Sequence, residues 1–209
     1  MGQHFRRFSL YEQAAAVDTL AIARYPLDPD ALISARRLTE TYQRWDRPIL
    51  ARRAMLEYAP RFEPQSAWAK AQTSDSVRTA GAQFAESCWL TVASYHHLEA
   101  RKSGSADDWR AALDLYQKLI SRWPNRPEAA RFELYSGEAS AKLGDYSAAL
   151  SHYAAAAKSG PDSVAEQALR QRVAVTDAWY EKSRARNSTV PRRSAPTRWP
   201  GRCSRPATR

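Results

Sequence analysis

The sequence predicts an all-α fold built from antiparallel helix pairs, and three observations support this. Apolar residues recur along most of the chain at steps of three and four residues, the spacing that places side chains on one helix face. No stretch shows the alternation of apolar and polar residues, bounded by turn dipeptides, that indicates a strand pair. Similar segments also end at Pro26, Pro60, Pro124 and Pro161, where the missing N–H of proline stops a helix.

The clearest helix pair is predicted between residues 129 and 161. Its first helix runs to Leu143, and its second begins after Gly144-Asp145, where the Asp145 side chain caps the new helix. One face of that second helix carries Tyr146, Ala149, Leu150, Tyr153, Ala156 and Ala157. A single helix pair cannot bury such a face alone, so we expect further pairs to stack against it.

The same pattern recurs before the other three prolines. The matching positions before Pro124 hold Trp109, Ala112, Leu113, Tyr116 and Ile120. Those before Pro26 hold Tyr11, Ala14, Ala21 and Ile22, with Asp18 as a departure. Before Pro60, Pro48 stands where the pattern has alanine, and a proline there must lie in the first turn, so this helix is predicted to start late, near Asp46.

The repeated positions resemble the tetratricopeptide repeat (TPR), through Gly137, Leu143-Gly144-Asp145-Tyr146, Ala149, Tyr153, Ala156 and Pro161. The resemblance covers most of residues 9–181 and implies an α-solenoid of helix pairs wound into a right-handed superhelix. Small residues let neighbouring helices approach closely, and aromatic residues fill the gaps between repeats. The residues expected to pack the repeats are Gly137, Tyr146, Ala149, Tyr153, Ala156, Trp109, Ala112 and Tyr116.

A TPR stack has a groove lined by the first helix of each pair, a surface suited to an extended or helical peptide. The resemblance therefore implies a non-catalytic scaffold for protein complexes. Carried over residue by residue, the groove is expected at Arg131, Leu134, Glu138 and Lys142, and in an earlier repeat at Asp30, Ile33, Arg37 and Thr41. The alternative is that these side chains are merely solvated. Leu134 and Glu138 stand where chaperone-binding TPR domains place lysine and asparagine, which argues against a chaperone co-factor.

In chain order, one helical repeat domain is predicted over residues 1–181. Its helices are expected at about 9–25, 29–42, 46–58, 75–102, 106–123, 126–143, 145–159 and 162–184. Asp28 should cap the second helix, with Pro29 in its first position. Residues 61–74 are polar and contain Pro64, which predicts a loop. The long gap from Pro60 to Pro124 predicts an enlarged repeat.

The C-terminal segment, residues 182–209, differs in composition from the helical region. It holds nine basic and no acidic residues, so 23 of the 32 basic residues remain to balance the 22 acidic ones in residues 1–181. The net charge of +10 therefore belongs almost wholly to this tail. Because the tail also contains four prolines, we expect it to be disordered.

Three interpretations of the tail stay open. A basic arm can bind nucleic acid or an anionic membrane through counterion release, although only Trp199 could stack on a base, so nucleic acid is not the expected partner. The tail can also be a solvated extension without a role. In the interpretation that we favour, its Arg, Pro, Ser, Thr, Ala and Gly content reflects high-GC codons read out of frame. The chain would then be a truncated or frame-shifted piece of a longer repeat protein, incomplete at both ends.

Residue patterns that indicate catalysis or metal binding are scarce. His96 and His97 are adjacent, so on a helix they point about a hundred degrees apart and cannot easily share one metal, and we expect His97 at the surface. Cys88 lies on an apolar helical face and Cys203 in the tail, which favours one buried and one incidental thiol over a disulfide. The sequence has no phosphate-binding glycine loop and no nucleophile elbow. We therefore expect neither an enzyme nor a cofactor.

The enlarged repeat, with YHHLEARKSG before WRAALDLYQKLISRWP, is most similar to TPR proteins of bacterial envelopes. These include outer-membrane assembly factors and repeat proteins of the gliding-motility machinery. The resemblance implies other proteins or peptides as partners and an envelope-associated or periplasmic parent protein. Such proteins carry a signal peptide, and the first residues here show no apolar run of that kind, so localisation and oligomeric state stay open.

Overall fold

A computed structural model of the protein describes residues 10–124 and 126–188, with side chains as far as 186. This part of the chain is all-helical and contains no strand, which confirms the predicted fold class. Its helices are α1 (Tyr11–Arg24), α2 (Pro29–Arg44), α3 (Pro48–Tyr58), a 3₁₀ helix (Ala59–Phe62), α4 (Ala67–Ala71), α5 (Asp75–Ser103), α6 (Ala106–Arg122), α7 (Ala129–Lys142), α8 (Tyr146–Ser159) and α9 (Asp162–Ser188).

The helices pack mainly on their neighbours in the chain. Helix α1 packs on α2, α2 on α3, and α3 on α5 across the short α4, after which each helix from α5 to α9 packs on the next. Helix α9 also contacts α7. Neighbour-on-neighbour packing is what a helical repeat protein requires, because each unit buries the apolar face of the next.

Helix starts follow the capping residues in the sequence. The Asp28 carboxylate accepts a hydrogen bond from the backbone N–H of Asp30 at 2.8 Å, with Pro29 in the first position of α2. Asp145 caps α8 in the same way, accepting from the N–H of Ala148 at 3.0 Å. Helix α3 begins at Pro48, two residues later than predicted, because Asp46 has a left-handed φ of 53° that cannot belong to the helix.

The loop predicted for residues 61–74 is wrong over part of its length. It contains α4, whose N-terminus is capped by the Ser66 hydroxyl accepting from the N–H of Ala69 at 3.1 Å. The reason for this helix is Trp68, which is only 2% exposed. Its indole N–H donates to the carbonyl of Asp28 at 2.9 Å, and its ring meets the edge of Phe62 at 4.9 Å between centroids.

Two main cores lie along the chain. The larger one runs from α1 to α6 and includes Phe132 at the start of α7, and the smaller one joins α7, α8 and α9. All the residues expected to pack the repeats are buried, except Tyr146, which is partly buried. Gly137 lies directly beneath the ring of Tyr153, where an added Cβ would come within 2.6 Å of a ring carbon.

Helix α9 continues beyond residue 181, where the helical domain was expected to end. Residues 182–188 contain lysine, arginine and alanine and no proline, so nothing in their backbone stops the helix before Ser188. The Lys182 ammonium lies over the ring of Tyr146 at 5.2 Å, which ties this extension to α8. The rest of the tail, on which the nucleic-acid alternative depends, lies outside the described residues. No helix in the described ranges is long and apolar enough to cross a membrane.

Candidate functional site

An open cavity of about 650 Å³ lies between α7 and α9. Helix α7 contributes Arg131, Leu134, Glu138 and Lys142, α9 contributes Gln167, Gln171 and Val175, and α5 adds Arg101. We call this surface the α7–α9 groove. Helix α8 packs on both α7 and α9, and its Tyr146 and Tyr153 also line the groove.

The groove brings together all four residues that the repeat pattern assigned to α7. They follow one another at steps of three and four residues, so they form one helical face. The Arg131 and Lys142 side chains are exposed at its two ends. Leu134 is only 4% exposed and forms part of the apolar floor instead of a solvated wall.

The four residues predicted on α2 lie apart from this groove. Asp30 and Ile33 are exposed, and Arg37 is partly buried in an ion pair with Asp18 at 3.0 Å. The prediction that Thr41 lines a groove is wrong, because its side chain is fully buried and its hydroxyl donates to the carbonyl of Arg37 at 2.7 Å. Ile33 lines a different, smaller cavity between α2 and α5.

Glu138 is the acidic residue of the α7–α9 groove, and it is already engaged by two basic side chains. One carboxylate oxygen lies 3.5 Å from Nε2 of His97, and the other lies 3.5 Å from Nε of Arg101. The hydrogen bond with His97 is the main cause that lowers the pKa of the Glu138 carboxyl, with smaller contributions from Arg101 and Lys142. Glu138 is therefore ionised at neutral pH, and Arg131 and Lys142 carry the charge that is available to a ligand.

His97 is buried, so its predicted surface position is wrong. Its ring lies 5.2 Å from Trp109 and 5.1 Å from Tyr135 between centroids, and it is only 6% exposed. Sequence neighbours misled the prediction, because Glu99 and Lys102 follow His97 closely in the chain but lie on other faces of α5, where they pair with each other. The His97 imidazole lies among α5, α6 and α7, and its Nε2 contacts the Glu138 carboxylate.

The described residues contain little that resembles a catalytic or metal centre. No group of three or more histidine, cysteine, aspartate or glutamate side chains is placed there to hold a metal ion. Cys88 is buried, as predicted, and burial raises the pKa of its thiol to about 12, which keeps it in the unreactive protonated form. His96 is engaged with Asp108 at 2.7 Å. Cys203 lies outside the described residues.

Sequence reasoning missed the wall that α9 contributes to the groove. Helix α9 was recognised, but its polar groove-lining positions were not distinguished from solvated ones. A signal was present, since Ser163, Gln167, Gln171, Ala174 and Ala178 recur at steps of four and three residues, away from the buried Ala168. Arg101 could not have been assigned, because it reaches the groove from α5, some thirty residues before α7.

No family model matches this chain, and neither a curated protein nor a solved structure shows significant similarity to it. The membership in the TPR family and the right-handed superhelix therefore stay predictions.

Proposed function

We propose that this protein is a non-catalytic scaffold whose α7–α9 groove binds a peptide segment of a protein partner. One observation carries the proposal: four residues chosen from a repeat pattern, Arg131, Leu134, Glu138 and Lys142, line one open cavity. On this proposal the chain is a TPR-like solenoid, and it serves as one part of a larger scaffold.

The size and lining of the groove suit side chains of a peptide. Its volume of about 650 Å³ falls within the range of about 300–1,000 Å³ that ligand sites span. Leu134 and Val164 supply an apolar floor, while Gln167 and Gln171 offer amide donors and acceptors to a peptide backbone. An apolar floor with a polar rim anchors one or two apolar side chains and orients the rest of the segment.

The charges of the groove favour an acidic segment. Arg101, Arg131 and Lys142 line it against the single carboxylate of Glu138, which Arg101 and His97 already engage. Arg131 and Lys142 stand at the two ends of the α7 face, where they can meet carboxylates flanking an apolar anchor. Such pairs at the rim increase the association rate more than the affinity, and salt weakens them.

The test is to select peptides from a random dodecapeptide phage library on the full chain and to measure their affinities by fluorescence anisotropy. We expect acidic peptides with an apolar centre and a Kd in the micromolar range, as for weak groove binders. The double variant R131E/K142E should weaken their binding at least tenfold, about 1.4 kcal/mol or more.

The matched control is R53E/K158E, which changes the net charge equally at two exposed positions outside the groove. The control should bind like the wild type, and circular dichroism should show that both variants stay folded. Equal loss of binding in both double variants would mean that overall charge, and not the groove, attracts the peptides. If both double variants bound the selected peptides as tightly as the wild type does, the proposal would be wrong.

A further inference from the structure

The first described helix, α1, borders an open apolar groove at the N-terminal end of the helix stack. This N-terminal groove has a volume of about 580 Å³ and is lined by Ala16, Leu20 and Ala23 of α1, by Tyr42 and Trp45 at the end of α2, and by Leu50 of α3. Leu20 is 65% exposed there. The rings of Tyr42 and Trp45 are stacked, with their centroids 6.5 Å apart, and form one wall of the groove.

The last helix, α9, carries an exposed apolar ridge at the opposite end of the stack. Leu169, Val173, Thr176 and Tyr180 follow one another at steps of four, three and four residues, so they form a single helical face. Val173 is 63% and Tyr180 is 65% exposed. This C-terminal ridge points away from Ala168 and Val175, which are buried against the rest of the stack.

Charges at the ends of the two surfaces are complementary when α1 and α9 run antiparallel. Along α1 the groove begins near Glu12 and ends near Arg24. Along α9 the ridge begins after Glu166, which is also paired with Arg170 of the same helix, and is followed by Arg184. Suppose that Leu20 of one copy lies opposite Val173 of the other. Arg184 is then three residues away from the position opposite Glu12, and Glu166 is three residues away from the position opposite Arg24. This is about 4.5 Å along the axis, within reach of an arginine side chain.

We infer that a second copy of this chain docks head to tail, with its C-terminal ridge in the N-terminal groove of the first copy. The shapes favour this pairing over groove with groove or ridge with ridge, because one surface is a cavity with alanines between larger side chains and the other is a row of exposed, bulky side chains. A head-to-tail contact does not close on itself, so further copies add in the same way and form chains or rings.

The experiment is sedimentation velocity on the full chain at concentrations from about 1 to 200 μM, a range that detects micromolar association. The wild type should grow in mass in steps of one chain. The variants L20E and V173E should each be monomeric, because each lacks one half of the interface. Mixed together they should form dimers and nothing larger, since the intact ridge of L20E fits the intact groove of V173E.

The control is L98E, at an exposed leucine on α5 that belongs to neither surface, and it should assemble like the wild type. A charge swap sharpens the result: E12R and R184E should each weaken assembly several-fold, and E12R/R184E should recover it. A wild type that stays monomeric, a single blocked variant that still self-associates, or a mixture without dimers would each overturn the inference. Retained helical circular dichroism shows that the variants are folded.

Discussion

The N-terminal region, α1–α6, and the C-terminal region, α7–α9, fill their interiors with different side chains. In the core of the first region, seven of the 24 buried residues that the structure describes are aromatic, and Phe62 is in edge contact with both Trp68 and Phe84. In the second region the core consists largely of alanines packed around Tyr153. Alanine side chains bring helices close together but cannot fill a space beside them. The α7–α9 groove lies beside this alanine-rich core.

Both regions nevertheless place a glycine where a helix packs closely against an aromatic ring. Gly81 of α5 lies against Trp68, where an added Cβ would come within 2.3 Å of a ring carbon, and Gly137 of α7 lies against Tyr153 at 2.6 Å. Each glycine lets a helix backbone rest on the face of a ring. The two rings contact different parts of the chain. Trp68 contacts Asp28 and Gly81, which are distant in the sequence, whereas Tyr153 of α8 contacts the neighbouring helix α7.

The largest effect is expected for Trp68→Ala. Removing a fully buried indole from the N-terminal core should lower the free energy of unfolding by about 3–5 kcal/mol, measured by urea denaturation. Trp68→Phe should cost less, because it keeps part of the ring but loses the hydrogen bond to Asp28. The control Tyr25→Ala, at an exposed ring, should change stability by no more than about 0.5 kcal/mol. A W68A protein as stable as Y25A would refute the ring-filled core.

The next effect concerns Gly137→Ala in the C-terminal region. The added methyl group must displace the Tyr153 ring, and such overpacking costs about 1–3 kcal/mol, from which the better helix propensity of alanine recovers about 0.5–1 kcal/mol. We expect a net loss in chemical denaturation. The double variant G137A/Y153L should lose less than the sum of the single variants, because the smaller side chain makes room. If the losses of unfolding free energy in the two single variants simply added up in the double variant, Gly137 and Tyr153 would not be in steric contact.

A pH-dependent effect is expected at the two carboxylates that join helices, Glu138 and Asp108. The fold lowers the pKa of each carboxyl, mainly through the hydrogen bonds with His97 and His96 respectively. Each therefore contributes stability above its unfolded pKa, which is 4.5 for Glu138, and loses it as the pH falls through the lower folded value.

Glu138→Gln should accordingly flatten the loss of stability in an acid titration followed by circular dichroism. Asp108→Asn should flatten it less, because its partner His96 is 25% exposed while His97, the partner of Glu138, is only 7% exposed, so solvent screens the Asp108 contact more. If E138Q unfolded along the wild-type acid curve, the contact with His97 would have no energetic role.

The smallest effect is expected at helix caps. Asp145→Ala should cost about 1 kcal/mol because α8 loses the acceptor for a backbone N–H, while Asp145→Asn should cost much less. Ser105→Ala, at the start of α6, provides the counterpart in the N-terminal region. Thermal unfolding of the four proteins, wild type included, measures both caps. An equal loss for D145N and D145A would show that the charge, and not the acceptor, matters.

The features that the sequence predicted well are local ones. Helix α8 followed from the Asp145 cap and the aromatic and alanine spacing after it. The four groove residues of α7 came from the resemblance to the repeat pattern, and they line one cavity. Such patterns lie within one helix, so the chain order alone displays them. The all-α class followed from the same periodicity repeated along the chain.

The features that it did not predict depend on contacts between distant segments. Helix α4 has only five residues, too few to show a period, and Trp68 is buried by Asp28 and Phe62, neither of which is on its own helix. His97 was misplaced because its environment comes from α6 and α7. The α9 wall of the groove required knowledge of which face of that helix meets α7.

The packing of each helix on its chain neighbours also bears on how the protein folds during synthesis. When α2 is synthesised, its packing partner α1 is already present, and the same holds for α6 and its partner α5. Trp68 of α4 likewise bonds to Asp28, which lies some forty residues upstream. Each helix that leaves the ribosome therefore meets its packing partner at once, without waiting for residues still to be translated. Each new helix covers apolar surface of the helix before it, and the search for native contacts stays short.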